Sequence, residues 1–235
     1  MIRDFEETEP EWLDTAERSS PELESELSGM ESLNCRFCVQ RVVIDGWRPL
    51  LRGGRALRIA DLGAGTADIA RAVVSKARKL LCPVIITAID HRKTFLQVAE
   101  KRTADFPEIR FVCADILDFR AEQPFDAVLC SQVLHRLDES AAIRMLRRCR
   151  ELAGGMAMVT DWRRSRLAQA GVFAATGVFR REPMIRHDAR LAMRRAFSYA
   201  ELYKLAVAAG WWGFRHERRP VFLQTLRMDA ARRRH

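Results

Sequence analysis

Apolar residues along the chain change their period several times, and each change marks an element. From Met30 they recur at Leu33, Phe37, Ile44, Trp47 and Leu51, at spacings near three, four or seven, until Gly53-Gly54 interrupts them. That period predicts one amphipathic helix. ALRIAD (56–61) then reads as a strand, and Thr66 to Leu80 as a helix with Ile69, Ala70, Val73, Val74 and Ala77 on one side, closed by Pro83. VIITAID (84–90) scarcely alternates, so both of its faces are expected to be buried.

A helix at 92–103, strands at 109–115 and 125–131, a helix at 139–152 ending at Gly154-Gly155, and a strand at 156–161 follow. Strands alternating with helices imply right-handed crossovers and a parallel sheet. The ending differs: an arginine-rich helical stretch runs to about Arg195, and a helix runs from Ser198, an N-cap residue, to Gly210. Two short runs, 213–217 and 221–226, have room between them only for a hairpin. The expected fold is α/β: a doubly wound, Rossmann-like, mostly parallel seven-stranded sheet with an antiparallel C-terminal hairpin and helices on both faces.

Composition narrows the picture. A chain of 235 residues, 48% hydrophobic with 8 prolines and no internal repeat, is long enough for one substantial core. Its start, MIRDFEETEPEWLD, lacks a basic region followed by an apolar one, and no transmembrane-length apolar run occurs, so a soluble, cytoplasmic protein is expected. Residues 1–31 hold eleven acidic residues against two arginines, whereas 163–235 hold seventeen basic residues against five acidic ones. The organisation expected is an acidic, weakly ordered arm (1–29), a single domain (30–228) with a helical substrate-side insertion (163–197), and a basic tail (229–235). The basic half admits nucleic acid as a partner, but its arginines mix with an Ala/Leu/Phe/Trp pattern of buried type, which favours solvated helix faces.

The six cysteines fit reduced thiols better than a disulfide framework. Cys35-Arg-Phe-Cys38 has the spacing of a redox or zinc half-site; no second pair completes a zinc site and the segment reads as helical, so packing is the expected role. No His/Cys/Asp cluster has metal-ligand spacing, and no metal is expected.

IADLGAGTADIA (59–70) breaks a strand with glycines at 63 and 65. In the dinucleotide fingerprint GxGxxG a third glycine lets the helix pack closely while its N-terminus receives pyrophosphate. Here that third position is Asp68, whose charge repels a pyrophosphate. Asp61 precedes the glycines and suits a cationic ligand such as S-adenosylmethionine, with its ammonium and sulfonium. Asp90 ends the second strand, where a carboxylate accepts from ribose hydroxyls, and Asp115 ends the third, in position for an adenine amino group.

With these residues in order, the chain resembles a class I S-adenosylmethionine-dependent methyltransferase: IADLGAGTAD is similar to the first motif, AIDHRKTFLQVAEKR to the second-strand acid and its helix, VCADILDF to the adenine motif, and FDAVLCSQVLHRL to the fourth strand and its loop. The resemblance implies that Asp61, Gly63, Ala64 and Gly65 hold the methionine part, Asp90 and His91 the ribose and adenine side, Asp115 and Ile116 the adenine, with Cys130 beside the cofactor. Ala67 departs from the pattern, standing where many relatives carry a glycine.

The loop after the fourth strand lacks the Asp/Asn-Pro-Pro-aromatic run of amino-methylating DNA enzymes, the Pro-Cys of 5-methylcytosine enzymes and the glutamate pair of protein-arginine methyltransferases. SQVLHRL instead resembles the loop of quinone-biosynthesis and other small-molecule methyltransferases, and 160–168 with 186–198 resemble a bacterial subgroup associated with polyketide or isoprenoid-type pathways. That likeness implies a phenolic, pyrone-like or quinol-like acceptor, methylated on oxygen or carbon, with Val172, Phe173, Val178, Phe179 and Met184 as pocket candidates. His135 and His187 are candidate bases, and Asp161 could orient either one or a substrate hydroxyl. An RNA methyltransferase, a nicotinamide-dependent oxidoreductase and an inactive cofactor-sensing protein remain as alternatives, and the oligomeric state, monomer or dimer, stays open.

Overall fold

The computed structural model describes Arg3, Phe5 and residues 21–176 and 183–229. Seven strands form one sheet, β1 (Leu57–Leu62), β2 (Val84–Asp90), β3 (Ile109–Cys113), β4 (Phe125–Ser131), β5 (Ala153–Trp162), β6 (Arg215–Arg218) and β7 (Leu223–Asp229). Their order is β3-β2-β1-β4-β5-β7-β6, and β1 to β5 are parallel while β7 pairs antiparallel with both β5 and β6. The expected doubly wound sheet with an antiparallel terminal hairpin is what forms. Strand order reverses between β1 and β4, and at such a switch point the carboxyl ends of the strands open a crevice for ligands.

The lack of alternation in the strands has the expected cause. Leu57 and Ile59 of β1 enter one core cluster with Trp47, Val73 and Leu129, while Ala60 and Leu62 enter the other with Val128, Leu146 and Trp211. Helices α2 (Val39–Leu51) and α3 (Asp68–Lys79) cover the first face, and α5 (Glu139–Leu152) and α8 (Tyr199–Ala208) the second. α1 (Pro21–Arg36) packs on α4 (Lys93–Arg102) through Leu23, Leu27, Phe95 and Val98, and α6 (Arg166–Thr176) and α7 (Pro183–Arg195) follow β5.

Three local outcomes differ from the periodicity. The run expected as one helix from Met30 to Leu51 is two, because Phe37 and Cys38 form a turn with Cys38 at φ 60°; the first of the two begins at Pro21, inside the segment expected as an arm. Gly154 and Gly155 belong to β5 rather than to a helix end. They sit beside a bulge in the β4–β5 pairing, where a Cβ on Gly155 would stand 2.4 Å from the Asp126 carbonyl oxygen. The arginine-rich insertion is two helices, and the pocket candidates Val178 and Phe179 lie outside the described residues.

Ser198 caps α8 as its position implied. Its hydroxyl accepts from the Glu201 N–H, Glu201 accepts from the Ser198 N–H, and the buried Arg164 guanidinium donates to both Glu201 oxygens at 2.6 Å. Arg164 also donates to the Ala196 carbonyl, so this capping box ties the residues after β5 to the end of α7.

Candidate functional site

A cavity of about 500 Å³ opens at the carboxyl ends of the parallel strands, floored by the loops after β1, β2, β3, β4 and β5. α1 and the α1–α2 turn wall one side through Leu27, Glu31, Asn34 and Phe37, and α7 contributes Asp188 and Ala192.

The first half of the cavity is the glycine loop and three carboxylates. Gly63 adopts φ 76°, and a Cβ there would stand 2.5 Å from Val133 Cγ2, so the loop after β4 approaches the backbone where only glycine fits. Asp61 is buried, and burial with the neighbouring Asp68 and Asp90 charges pushes its carboxyl up to about 7. Asp68, in the first turn of α3, is pushed up by burial against the pull of two amides: the Asn34 and Gln40 side chains each donate to its Oδ2 at 3.3 Å. Asp90 is buried too, yet it ends below the usual carboxylate range. The Arg92 charge and hydrogen bonds outweigh desolvation, and Asp90 also accepts from the Gly65 N–H at 2.9 Å.

Asp90 Oδ2 thus ties the glycine loop to the end of β2, while Glu31 ties α1 over it. One Glu31 oxygen accepts from Thr66 at 2.8 Å, Arg71 at 2.6 Å and Arg102 at 2.8 Å. Three clustered buried carboxyls, two of them held toward the neutral form, stand beside a close-approach backbone; a cationic ligand would favour their ionised forms, whereas a pyrophosphate would not. His91 lines the cavity with its side chain 69% exposed, 3.8 Å from Asp90. Asp115 is exposed at the far end, accepting from the Leu117 N–H at 2.8 Å, and Ile116 is buried beside Gly63.

The second half surrounds His135, in the 3-10 turn Leu134–Arg136 after β4. Its Nδ1 lies 2.7 Å from Asp161 Oδ1 and its backbone N–H donates to Asp161 Oδ2 at 3.2 Å; both side chains are buried. Asp161 also accepts from the Trp162 N–H at 2.7 Å, which fixes the carboxylate on three sides. Arg3 donates to the His135 and Leu137 carbonyls and stacks 3.8 Å over Phe197, holding the turn from outside. Phe37 packs edge-on against Trp162 with centroids 5.0 Å apart, and Val172 and Ala192 complete an apolar wall.

The structure therefore brings Asp61, Gly63, Ala64, Gly65, Asp90, His91, Asp115, Ile116 and His135 to one cavity, with Asp161 directly behind His135. Two expected residues stand apart. Cys130 points into the opposite core face, its thiol pushed well up by a hydrogen bond to Cys149 and by burial, because side chains alternate along β4 and it is Ser131 that reaches the cavity. His187 is not in the cavity wall; its Nδ1 lies 2.9 Å from Asp188 Oδ1, and it is Asp188, with Ala189 and Ala192, that lines the site from α7. Helical spacing puts Asp188 on the stripe of Ala192, a signal readable in the sequence but passed over. Gln132 and Ser131 were also missed: Gln132 takes φ 59°, and its buried amide nitrogen and the Ser131 hydroxyl have no protein hydrogen-bond partner. Among the described residues no cluster has metal-ligand geometry, and no helix is long and apolar enough to cross a membrane.

Residues 59–154 match the family model described as a methyltransferase domain. Over that span, less than half of the chain, the sequence is similar to methyltransferase domains. The matched span begins in β1 and ends in the first residues of β5, covering the glycine loop, the three strand-end acids and the His135 turn, and S-adenosylmethionine is the methyl donor of such a domain. No curated protein matches the sequence. Among solved structures, a candidate O-methyltransferase from Nostoc punctiforme is similar at TM-score 0.60 and 15% identity, over 81% of this chain and 55% of its own. The pyocyanin biosynthetic protein PhzM is similar at TM-score 0.57 and 21% identity over 78% and 53%. The O-methyltransferase NcsB1 from neocarzinostatin biosynthesis, in complex with S-adenosylhomocysteine and 1,4-dihydroxy-2-naphthoic acid, is similar at TM-score 0.53 and 21% identity over 73% and 48%. The chain spans about half the length of these structures, and at these identities the likeness is one of fold.

Proposed function

We propose that the protein methylates a small aromatic, polyketide-like or quinol-like acceptor on oxygen or an activated carbon. The observation that carries this reading is the buried His135–Asp161 pair set at the apolar end of the cavity, against Trp162, Phe37, Val172 and Ala192. An apolar slot with a few placed polar groups selects a flat, weakly acidic molecule. A nucleic-acid acceptor calls for an open basic surface, whereas the wall around His135 is apolar, formed by Phe37, Trp162, Val172 and Ala192.

S-adenosylmethionine supplies an electrophilic methyl group and is held, in this reading, by Asp61 and the 63–65 backbone at its methionine end, by Asp90 and His91 at the ribose, and by Asp115 and Ile116 at the adenine. Asp61 in its ionised form is the partner for an ammonium. An acceptor hydroxyl has to lose its proton as the new bond to carbon forms, and His135 is placed to receive it. With Nδ1–H donated to Asp161, the ring's lone pair is on Nε2, and the carboxylate stabilises the imidazolium that results. Asp188, on α7, lines the acceptor side, where its carboxylate would orient a second hydroxyl. The 1,4-dihydroxy-2-naphthoic acid held by NcsB1 is a molecule of the class this slot favours.

A thermal-shift comparison of S-adenosylmethionine, S-adenosylhomocysteine and NAD, followed by methyl-donor consumption across a panel of phenols, quinols and pyrones, tests the proposal. Stabilisation by the two sulfur nucleotides and turnover of at least one dihydroxyaromatic are expected. Turnover of RNA with none of the panel would overturn it.

A further inference from the structure

The corner between α1 and α2 carries the closely spaced cysteine pair Cys35-Arg36-Phe37-Cys38, with Cys35 in the last turn of α1, as the helical reading expected, and Cys38 in the turn that follows. α1 stops at Arg36, the Phe37 N–H donates to the Leu33 carbonyl at 2.8 Å, and the Cys38 N–H donates back to the Cys35 carbonyl at 3.0 Å. A turn closed by such a bond holds its end Cα atoms within about 7 Å, and disulfides bridge Cα separations of roughly 4.4 to 6.8 Å. Cys35 is exposed and Cys38 half-buried, whereas Cys82, Cys130 and Cys149 are buried.

The pair sits inside the segment that holds the cavity. Asn34 and Gln40, on either side of it, both donate to Asp68, and Phe37, between the cysteines, packs on Trp162. Whatever fixes residues 35–38 therefore fixes two amides on the glycine-loop helix and one wall of the acceptor slot.

We propose that Cys35 and Cys38 are a reversible thiol–disulfide modification site that sets how firmly the α1–α2 corner closes on the cavity. The reaction is two exchanges with a small disulfide. The exposed Cys35 thiolate attacks one sulfur of that disulfide, whose S–S bond breaks and releases one small thiol. The Cys38 thiolate then attacks Cys35 Sγ of the mixed disulfide, forming the Cys35–Cys38 bond and releasing the second thiol. The two cysteines lose two electrons and two protons, and the small disulfide gains both.

A bridge across a turn already closed removes open conformations of the corner and keeps Asn34 and Gln40 on Asp68. Preorganisation of that kind is expected to tighten S-adenosylmethionine binding about threefold in the oxidised protein. This coupling rests on reading the cavity as the cofactor site; the modification site itself does not.

The test uses the full chain equilibrated in buffers of reduced and oxidised glutathione. Arg36 lies between the two cysteines, so after thiol blocking and trypsin digestion the peptides on either side stay joined only if the bridge has formed. Joined peptides in the oxidised wild type, absent from Cys35→Ser and Cys38→Ser, are expected, with calorimetry giving a tighter cofactor Kd for the oxidised form. The Cys38→Ser protein should bind like reduced wild type in both buffers. A glutathione adduct on Cys35 with no internal bridge would overturn the site. A bridge with unchanged cofactor affinity would overturn the coupling. A bridge in a protein that binds the cofactor in neither state would leave the modification site standing and sink the cavity assignment instead.

Discussion

The two halves of the cavity are built in opposite ways. The half proposed to hold the cofactor comes from the ends of three strands that are hydrogen-bonded neighbours, β1, β2 and β3, so its acids are positioned by sheet register: Asp61 lies beside Ala88 and Asp90 beside Cys113. The acceptor half is assembled from a 3-10 turn, the end of β5, α7 and the α1–α2 turn, segments far apart in the chain. At its centre is the His135–Asp161 contact across 26 residues. The first half ties its polar groups together, with hydrogen bonds into Asp68 and Asp90. The second centres on the buried His135–Asp161 pair, with Asp188 on its α7 side and an apolar wall around them.

If that division is right, changes in the two halves separate cleanly. The largest effect is expected from His135→Ala: kcat falls by about 10² to 10⁴ with S-adenosylmethionine affinity within twofold of wild type, since general-base catalysis is worth that much. Single-turnover kinetics with calorimetry checks it, and a parallel loss of cofactor binding would erase the distinction between the halves. Asp90→Ala should do the reverse, weakening cofactor binding about 100-fold by removing a buried charge that organises Gly65 and Arg92. Retained affinity in that variant would remove Asp90 from the ribose position.

Asp61 gives the comparison a pH signature. Its carboxyl titrates near 7 in the folded protein, against an ordinary value of 3.8. A raised acid stabilises the fold most below the ordinary value, so this contribution fades as pH rises from about 4 to 7. A cationic ligand requires the ionised form, so its affinity runs the other way, rising up to tenfold per pH unit toward 7 and levelling above it. Calorimetric Kd values from pH 5.5 to about 8.5, wild type against Asp61→Asn, should show the bend only in wild type.

Ala67 offers the smallest effect. It holds φ 57° at the start of α3, a left-handed conformation that costs an L-residue roughly 1–2 kcal/mol. Ala67→Gly is therefore expected to raise stability by about 0.5–1 kcal/mol in chemical denaturation, after the entropy glycine loses. Cofactor affinity should stay unchanged; a gain in affinity as well would mean that the strain acts on binding.

The fold was legible because its signals are local. Unbroken apolar strands, helices of helical period and the Ser198 cap each depend on a few neighbours, and together they prescribe a doubly wound sheet. The cofactor half was legible for a related reason: when consecutive strands are parallel neighbours, an acid at each carboxyl end lands in one place. His135, His187 and Asp161 were all visible, with Asp161 placed to orient either histidine, but which of the two it meets was not. Asp188 was hidden by its more conspicuous neighbour His187, and Glu31 by the distance of its partners, Thr66, Arg71 and Arg102, 35 to 71 residues along the chain.

The sequence by itself determined the sheet, the glycine loop and the acidic character that excludes a pyrophosphate, since periodicity and residue type act over a few positions. Tertiary structure decided which histidine meets Asp161, which cysteine faces the core and which the solvent, and that the α1–α2 turn closes on Asp68. Those choices depend on side-chain direction at strand ends and helix breaks, where one residue of register turns a group from the cavity into the core.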